Sequence, residues 1–311
     1  ASLAAGPQGI AAESFEVVAG GLRARGALAL ALAGRPRLTG RLAAERLPLP
    51  FASWQSGNPL GLEALAAFDA DLALEAARLE IGGTVAEQVA ATLKLAEGRA
   101  RLEGVRARLA GGALEALVTL DLDPQSPPRL AAEGRLVGAS IAAPLFAAPV
   151  DLTAGRGDVT FAVATSGHAP AALLGTLEGR IGIGLRDGVL AGFDLAGAAQ
   201  ATALPDPLAA ERGTRRALLE GATAFDRLDA TARLTAGRLR LEEARLAAEG
   251  GATATIRGEI DLSRGALDLH ILSRPAAPEA PDLGLRLTGP SDGPRALPET
   301  AAWARWRAER G

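Results

Sequence analysis

Apolar and charged positions alternate along most of this chain, in stretches punctuated by glycine, and one such stretch occurs twice. Residues 93–122, LKLAEGRARLEGVRARLAGGALEALVTLDL, are loosely rewritten at 232–262 as ARLTAGRLRLEEARLAAEGGATATIRGEIDL. A period of two puts Leu, Ala and Val on one face of an extended chain and Arg and Glu on the other, the pattern of a half-buried strand. Glycine falls where a reversal needs positive φ: Gly98 against Gly237, and Gly111-Gly112 against Gly250-Gly251. Each copy predicts three linked antiparallel strands. The alternation slips by one residue near Val105 and near Ala244, which predicts a β-bulge at both places. Repetition of one supersecondary unit implies an array whose units bury their apolar face against neighbours.

The alternation continues on either side of the repeat. Residues 15–49 read as strands joined at Gly34-Arg35-Pro36, Asp69 restarts the pattern after a break, and further strands run over 129–164. GRIGIGLRDGVLAGFDL from Gly179 alternates through Ile181, Ile183 and Leu185 and turns at Asp187-Gly188. Helical spacing and caps predict short helices over 58–68, 169–177, 206–224 and 299–310, with Asn58 and Asp206 as caps. A strand broken by proline precedes the last of them near 283–287.

Composition narrows the picture little. The 311 residues are 48% hydrophobic but only 3% aromatic, with no Cys, Met or Tyr, one lysine (Lys94) and one asparagine (Asn58). That bias follows GC-rich codon usage. The 33 basic and 36 acidic side chains intermingle with no basic block or aromatic platform, so nucleic acid is not an expected partner. Without cysteine there are no disulfides or zinc-thiolate sites. No apolar run approaches the roughly 20 residues that span a bilayer. A chain opening at Ala1 with no methionine is expected to be a fragment whose signal or anchor lies elsewhere.

Catalytic chemistry is scarce. His168 and His270 stand apart in sequence, without a second ligand nearby, and are expected in ordinary loop and strand roles. The glycines of GRIGIG lie within an alternating strand rather than a phosphate loop. Asp69/Asp71 and Asp121/Asp123 lack the ligand run of a calcium loop. The recurrent Asp-Leu dipeptide fits turn chemistry. No enzyme activity, cofactor or metal is expected.

What remains is a large apolar strand face with few helices to roof it. Either the sheet closes into a barrel or sandwich, or it curls into an open trough. The scarcity of aromatics and the monotony of Leu and Ala favour the trough, because interdigitating cores alternate large and small residues. A soluble chain rarely leaves more than a few hundred Å² of apolar surface bare, so an open trough implies an apolar guest such as a lipid acyl chain. The expected fold is therefore mainly β: an elongated, curled antiparallel sheet forming an open groove or half-barrel, with a few short helices. About 18 strands spaced about 4.8 Å apart would make a groove of roughly 85 Å. Leu93, Leu95, Leu102, Leu109, Leu234, Leu239, Leu241 and Leu246 are the expected lining residues.

The order of elements resembles a known family. The run 179–195 ending LRDGVLAGFDL, a helical linker, ATAFDRL at 222–228 and the second repeat copy resemble the C-terminal region of the AsmA family. The closing LRLTGPSDGPRALPETAAWARWRAER is similar to the end of such proteins, and the earlier repeats to the strands that precede that region. Phe193 stands where Ile is common in the family's Gly-x-Asp-Leu motif. The resemblance divides the chain into repetitive groove strands (1–168) and a C-terminal module (169–311) continuous with the same sheet. It implies a Gram-negative periplasmic protein anchored in the inner membrane, forming with its relative TamB a class of β-grooves that carry phospholipid toward the outer membrane. Phospholipid or another acyl-chain lipid, the inner membrane and an outer-membrane protein are the implied partners. The alternative is a scaffold that pairs its sheet edge with strands of outer-membrane clients. A β-solenoid acting on glycans or in adhesion fits less well, because the strands are unequal and the repeat is long.

Overall fold

A computed structural model describes residues 2–6, 8–19, 21–49, 53–142, 150–275, 277 and 279–310. Strands make up 62% of the chain, and all seventeen belong to a single sheet that does not close. The expected open, mainly β architecture is what forms. Contacts divide the chain into two compact units, Ala1–Ala139 with Thr160–Gly179, and Ser140–Val159 with Arg180–Gly311.

Unit 1 contains β1 (Ser2–Gly6), β2 (Gly9–Ala19), β3 (Leu22–Ala31), β4 (Arg37–Leu49), β5 (Asp69–Ile81), β6 (Thr84–Ala96), β7 (Arg99–Leu109) and β8 (Gly112–Asp121). Most of β9 (Arg129–Ile141), the end of β10 (Asp151–Ser166) and helix α1 (Pro170–Thr176) complete it. Consecutive strands from β1 to β4 and from β5 to β9 pair antiparallel. β4 and β5 pair in parallel, so the chain between them must return to the starting end of the sheet.

Unit 2 holds the start of β10, most of β11 (Glu178–Ala191), α2 (Leu195–Thr202), α3 (Pro207–Ala217), β12 (Ala222–Thr235), β13 (Arg238–Ala248), β14 (Thr253–Asp261), β15 (Ala266–Ser273), β16 (Leu283–Pro290), β17 (Arg295–Glu299) and α4 (Ala301–Ala308). From β12 to β17 every pairing is antiparallel.

The repeat copies are β6–β8 and β12–β14. The first two strands of each copy are joined by a two-residue turn with both residues left-handed: Glu97-Gly98 at φ 50° and 75°, Ala236-Gly237 at 48° and 73°. That is the turn whose twist matches a hairpin. The register shifts between Leu102 and Val105 and between Leu241 and Arg245, where the slipped alternation placed bulges.

Four local expectations need correction. Residues 58–61 are not helical and Leu62–Ala67 is a 3-10 helix without a side-chain cap, because left-handed Gly61 (φ 64°) interrupts any helix starting at Asn58. Asp187-Gly188 is no turn: β11 runs through it, with Asp187 at φ 49° as a bulge. A Cβ on Gly188 would lie 2.3 Å from Phe225 Cζ and 2.7 Å from the Ala154 carbonyl oxygen, so this glycine marks a close approach. The helix capped by Asp206 ends at Ala217, because Gly221 (φ 97°) redirects the chain into β12. α2 and β17 were not expected; Asp194 caps α2 by accepting from the Gly197 amide at 2.8 Å.

Candidate functional site

Strand register assembles the apolar residues into rows across each unit. In unit 1 one row runs Leu28, Gly40, Leu72, Leu93, Leu102, Val118 and Ala132, and the next runs Leu30, Leu38, Ala70, Leu95, Ala100, Leu120 and Leu130. Leu93, Leu95 and Leu102 are thus brought together on one face. Leu109 lies beyond the β7 bulge, opposite Ala86 and Gly112. Leu95 is buried, while Leu93, Leu102 and Leu109 are half-buried. The fully buried apolar residues of unit 1 are alanines and leucines alone.

Charge occupies the opposite face. Asp71, Lys94, Arg101 and Thr119 form a row there, and Lys94 Nζ lies 2.8 Å from Glu103 and the Glu115 carboxylate 2.7 Å from Arg135. The Lys94 hydrogen bond holds the Glu103 carboxyl below its ordinary pKa, and Glu103 in turn raises that of Lys94. These pairs are solvated and contribute little to stability. They keep this face wet and so fix which face is apolar.

Unit 2 repeats the rows with a different filling. Leu234 pairs with Leu239, Leu241 with Ala232, and Leu246 with Leu228. Leu239 and Leu241 are half-buried, whereas Leu234 and Leu246 are only 2% and 1% exposed. Leu246 belongs to a cluster with Phe193, Leu195, Phe225, Ile271 and Leu285. Phe193 and Phe225 are completely buried. Thr223, itself buried, donates to the Phe193 carbonyl at 2.8 Å and accepts from the Leu195 amide at 3.1 Å, which pins this plug between β11 and β12. A second cluster gathers Ala198, Ala210, Leu218, Leu283 and Trp303 from α2, α3, α4 and their neighbours.

Unit 1 has a lighter cover, which the sequence pattern did not expose. The return between β4 and β5 packs Leu65 and Phe68 against the buried cluster of Ala70, Leu72, Leu95 and Ala100. Its end is anchored at Asp69, which accepts from Arg35 Nε at 2.7 Å and from the Glu97 amide at 3.1 Å. The Glu97 amide, then Arg35, holds the Asp69 carboxyl below its ordinary pKa. The helical spacing of 58–68 marked the segment but did not say that its apolar side chains meet the sheet face.

His168 Nδ1 lies 3.2 Å from Glu63, and His270 Nε2 lies 2.8 Å from Glu299. Among the described residues no three His, Cys, Asp or Glu side chains gather as a metal site, and no helix is long and apolar enough to cross a membrane. The arrangement presents apolar surface backed by a solvated charged face.

Fold and surface together define an open, two-faced β-sheet protein of the groove-forming class. The AsmA family model matches residues 53–244, more than half of the chain, and the chain belongs to that family. The match takes in β5 through most of β13, including all of the first repeat copy. No curated protein and no solved structure matches. AsmA proteins are envelope proteins of Gram-negative bacteria, and membership is consistent with a role in the envelope or in lipid transport.

Proposed function

We propose that this chain binds and conducts phospholipid along its apolar sheet face, in the periplasm and tethered to the inner membrane, and so contributes to lipid supply of the outer membrane. One observation carries the reading: an unclosed sheet whose apolar row from Leu93 through Leu102 and Val118 to Ala132 is only partly buried. Bare apolar surface of this extent is unfavourable in water by roughly 25 cal/mol per Å², and acyl chains supply the missing cover without asking for polar partners. Headgroups stay outside, where the sheet gives them solvent. AsmA membership supports the same direction.

Native mass spectrometry of protein incubated with phosphatidylethanolamine and phosphatidylglycerol vesicles tests it. Bound phospholipid is expected, and its loss in Leu102→Arg and Leu241→Arg variants that keep their strand circular dichroism. A delipidated chain that takes up none from vesicles would sink the proposal.

A further inference from the structure

The segment between β4 and β5 is more than a connection. Residues 53–68 lead back to the start of β5, and they do so by way of the far side of unit 1. The Leu60 amide donates to the His168 carbonyl at 2.8 Å, and the Ala171 amide donates to the Ser56 carbonyl at 3.0 Å. Glu63 faces His168 at 3.2 Å. These partners belong to the end of β10 and the start of α1. Along the sheet β5 and β10 are five strand spacings apart, about 24 Å. Between Leu60 and Asp69 the strap spans that interval through a six-residue 3-10 helix flanked by extended residues. It runs over the apolar side of the unit, where Leu65 and Phe68 pack.

Its grip is light. Both side chains stay partly exposed, and no residue of the 3-10 helix is buried. Its ties toward α1 include two backbone hydrogen bonds and a solvated His–Glu contact. At the β5 end Arg35 holds both Asp69 and the Ala66 carbonyl. A segment fixed at one end, loosely hooked at the other and carrying two apolar side chains has the construction of a displaceable lid.

We infer that the strap 53–68 is the gate of the acyl-binding face in unit 1, with Leu65 and Phe68 standing in for the guest chain until the hook at His168 and Ala171 opens. This rests on the lipid reading above and adds where a chain enters and what it displaces. Exchange of one apolar occupant for another leaves the face covered throughout, so loading exposes little new apolar surface.

The absence of cysteine makes the test clean. Leu60→Cys with His168→Cys, and separately Ser56→Cys with Ala171→Cys, place thiols on hydrogen-bonded neighbours, within disulfide reach. Uptake from phosphatidylethanolamine and phosphatidylglycerol vesicles is followed by native mass spectrometry in oxidised and reduced forms. Locking should slow uptake about tenfold or more, with reduction restoring the parent rate, because the lock forbids an opening that otherwise breaks only a few hydrogen bonds. Phe68→Ala, which weakens the stand-in without a crosslink, should speed uptake. Equal uptake by locked and reduced protein overturns the gate while leaving the lipid function standing. A parent chain that takes up no lipid overturns both.

Discussion

Two copies of one strand cassette sit in two different settings. In unit 2 the apolar rows of β12–β14 are filled by Phe193, Leu195 and Phe225, with Trp303 and the helices behind them. The rows of β6–β8 in unit 1 meet Leu65 and Phe68, and among the described residues of that unit no aromatic side chain is fully buried. Near-identical alternation thus builds a packed core in one unit and a thinly covered face in the other. The difference lies in the connections: α2, α3 and their flanking phenylalanines intervene before the second cassette, and a 3-10 strap before the first. Strand pattern specifies a sheet; what the loops bring to it decides whether its face is a core or a binding surface.

Substitutions that probe packing separate the two units most sharply. Phe225→Ala should cost about 3–5 kcal/mol, the range for emptying a filled core, in urea unfolding. In unit 1, Leu93→Ala should cost only roughly 1–2 kcal/mol, since part of that side chain is already in water. Equal costs would erase the distinction. Gly188→Ala forces a methyl against Phe225 and should destabilise by about 1–3 kcal/mol, read in the same titration. Gly104→Ala, at a positive-φ bulge with open space around its Cα, should be felt through backbone strain of about 1 kcal/mol rather than packing.

Capping gives a smaller signal. Asp194→Ala removes the acceptor for the Gly197 amide and should cost about 1 kcal/mol, with the loss confined to faster hydrogen exchange in α2. The smallest effect is electrostatic. Asp69 has a carboxyl pKa lowered by folding, so its contribution is fully present above the unfolded carboxyl value and disappears as pH falls through the lowered one. Arg35→Leu should move the Asp69 titration upward, as seen by NMR, and raise the pH at which the strap end loosens.

Much of this was legible in the residues. Alternation located nearly every strand, the glycines marked the hairpins, and the parity slips at Val105 and Ala244 marked bulges that the register confirms. Failures cluster where local pattern is shared by two structures. Asp187-Gly188 carries a turn signature yet bends a continuous strand, because Phe225 from β12 needs the space over Gly188. GFDLAGAAQAT reads as a strand end followed by small residues; Asp194 as a cap and the burial of Leu195 make it a helix start. Of the leucines expected to line the groove, Leu246 was indistinguishable in sequence from Leu102. Only the phenylalanines arriving from elsewhere in unit 2 make one a core residue and leave the other half-exposed.

The most direct test is photocrosslinking to phospholipid vesicles, with a photoreactive side chain at Leu93 or Leu102, at Leu246, or at Arg101 on the charged face. Lipid adducts should form from Leu93 and Leu102, and neither from Arg101 nor from the filled position at 246. Adducts in equal yield from both faces, or none from Leu93 and Leu102, would contradict the account.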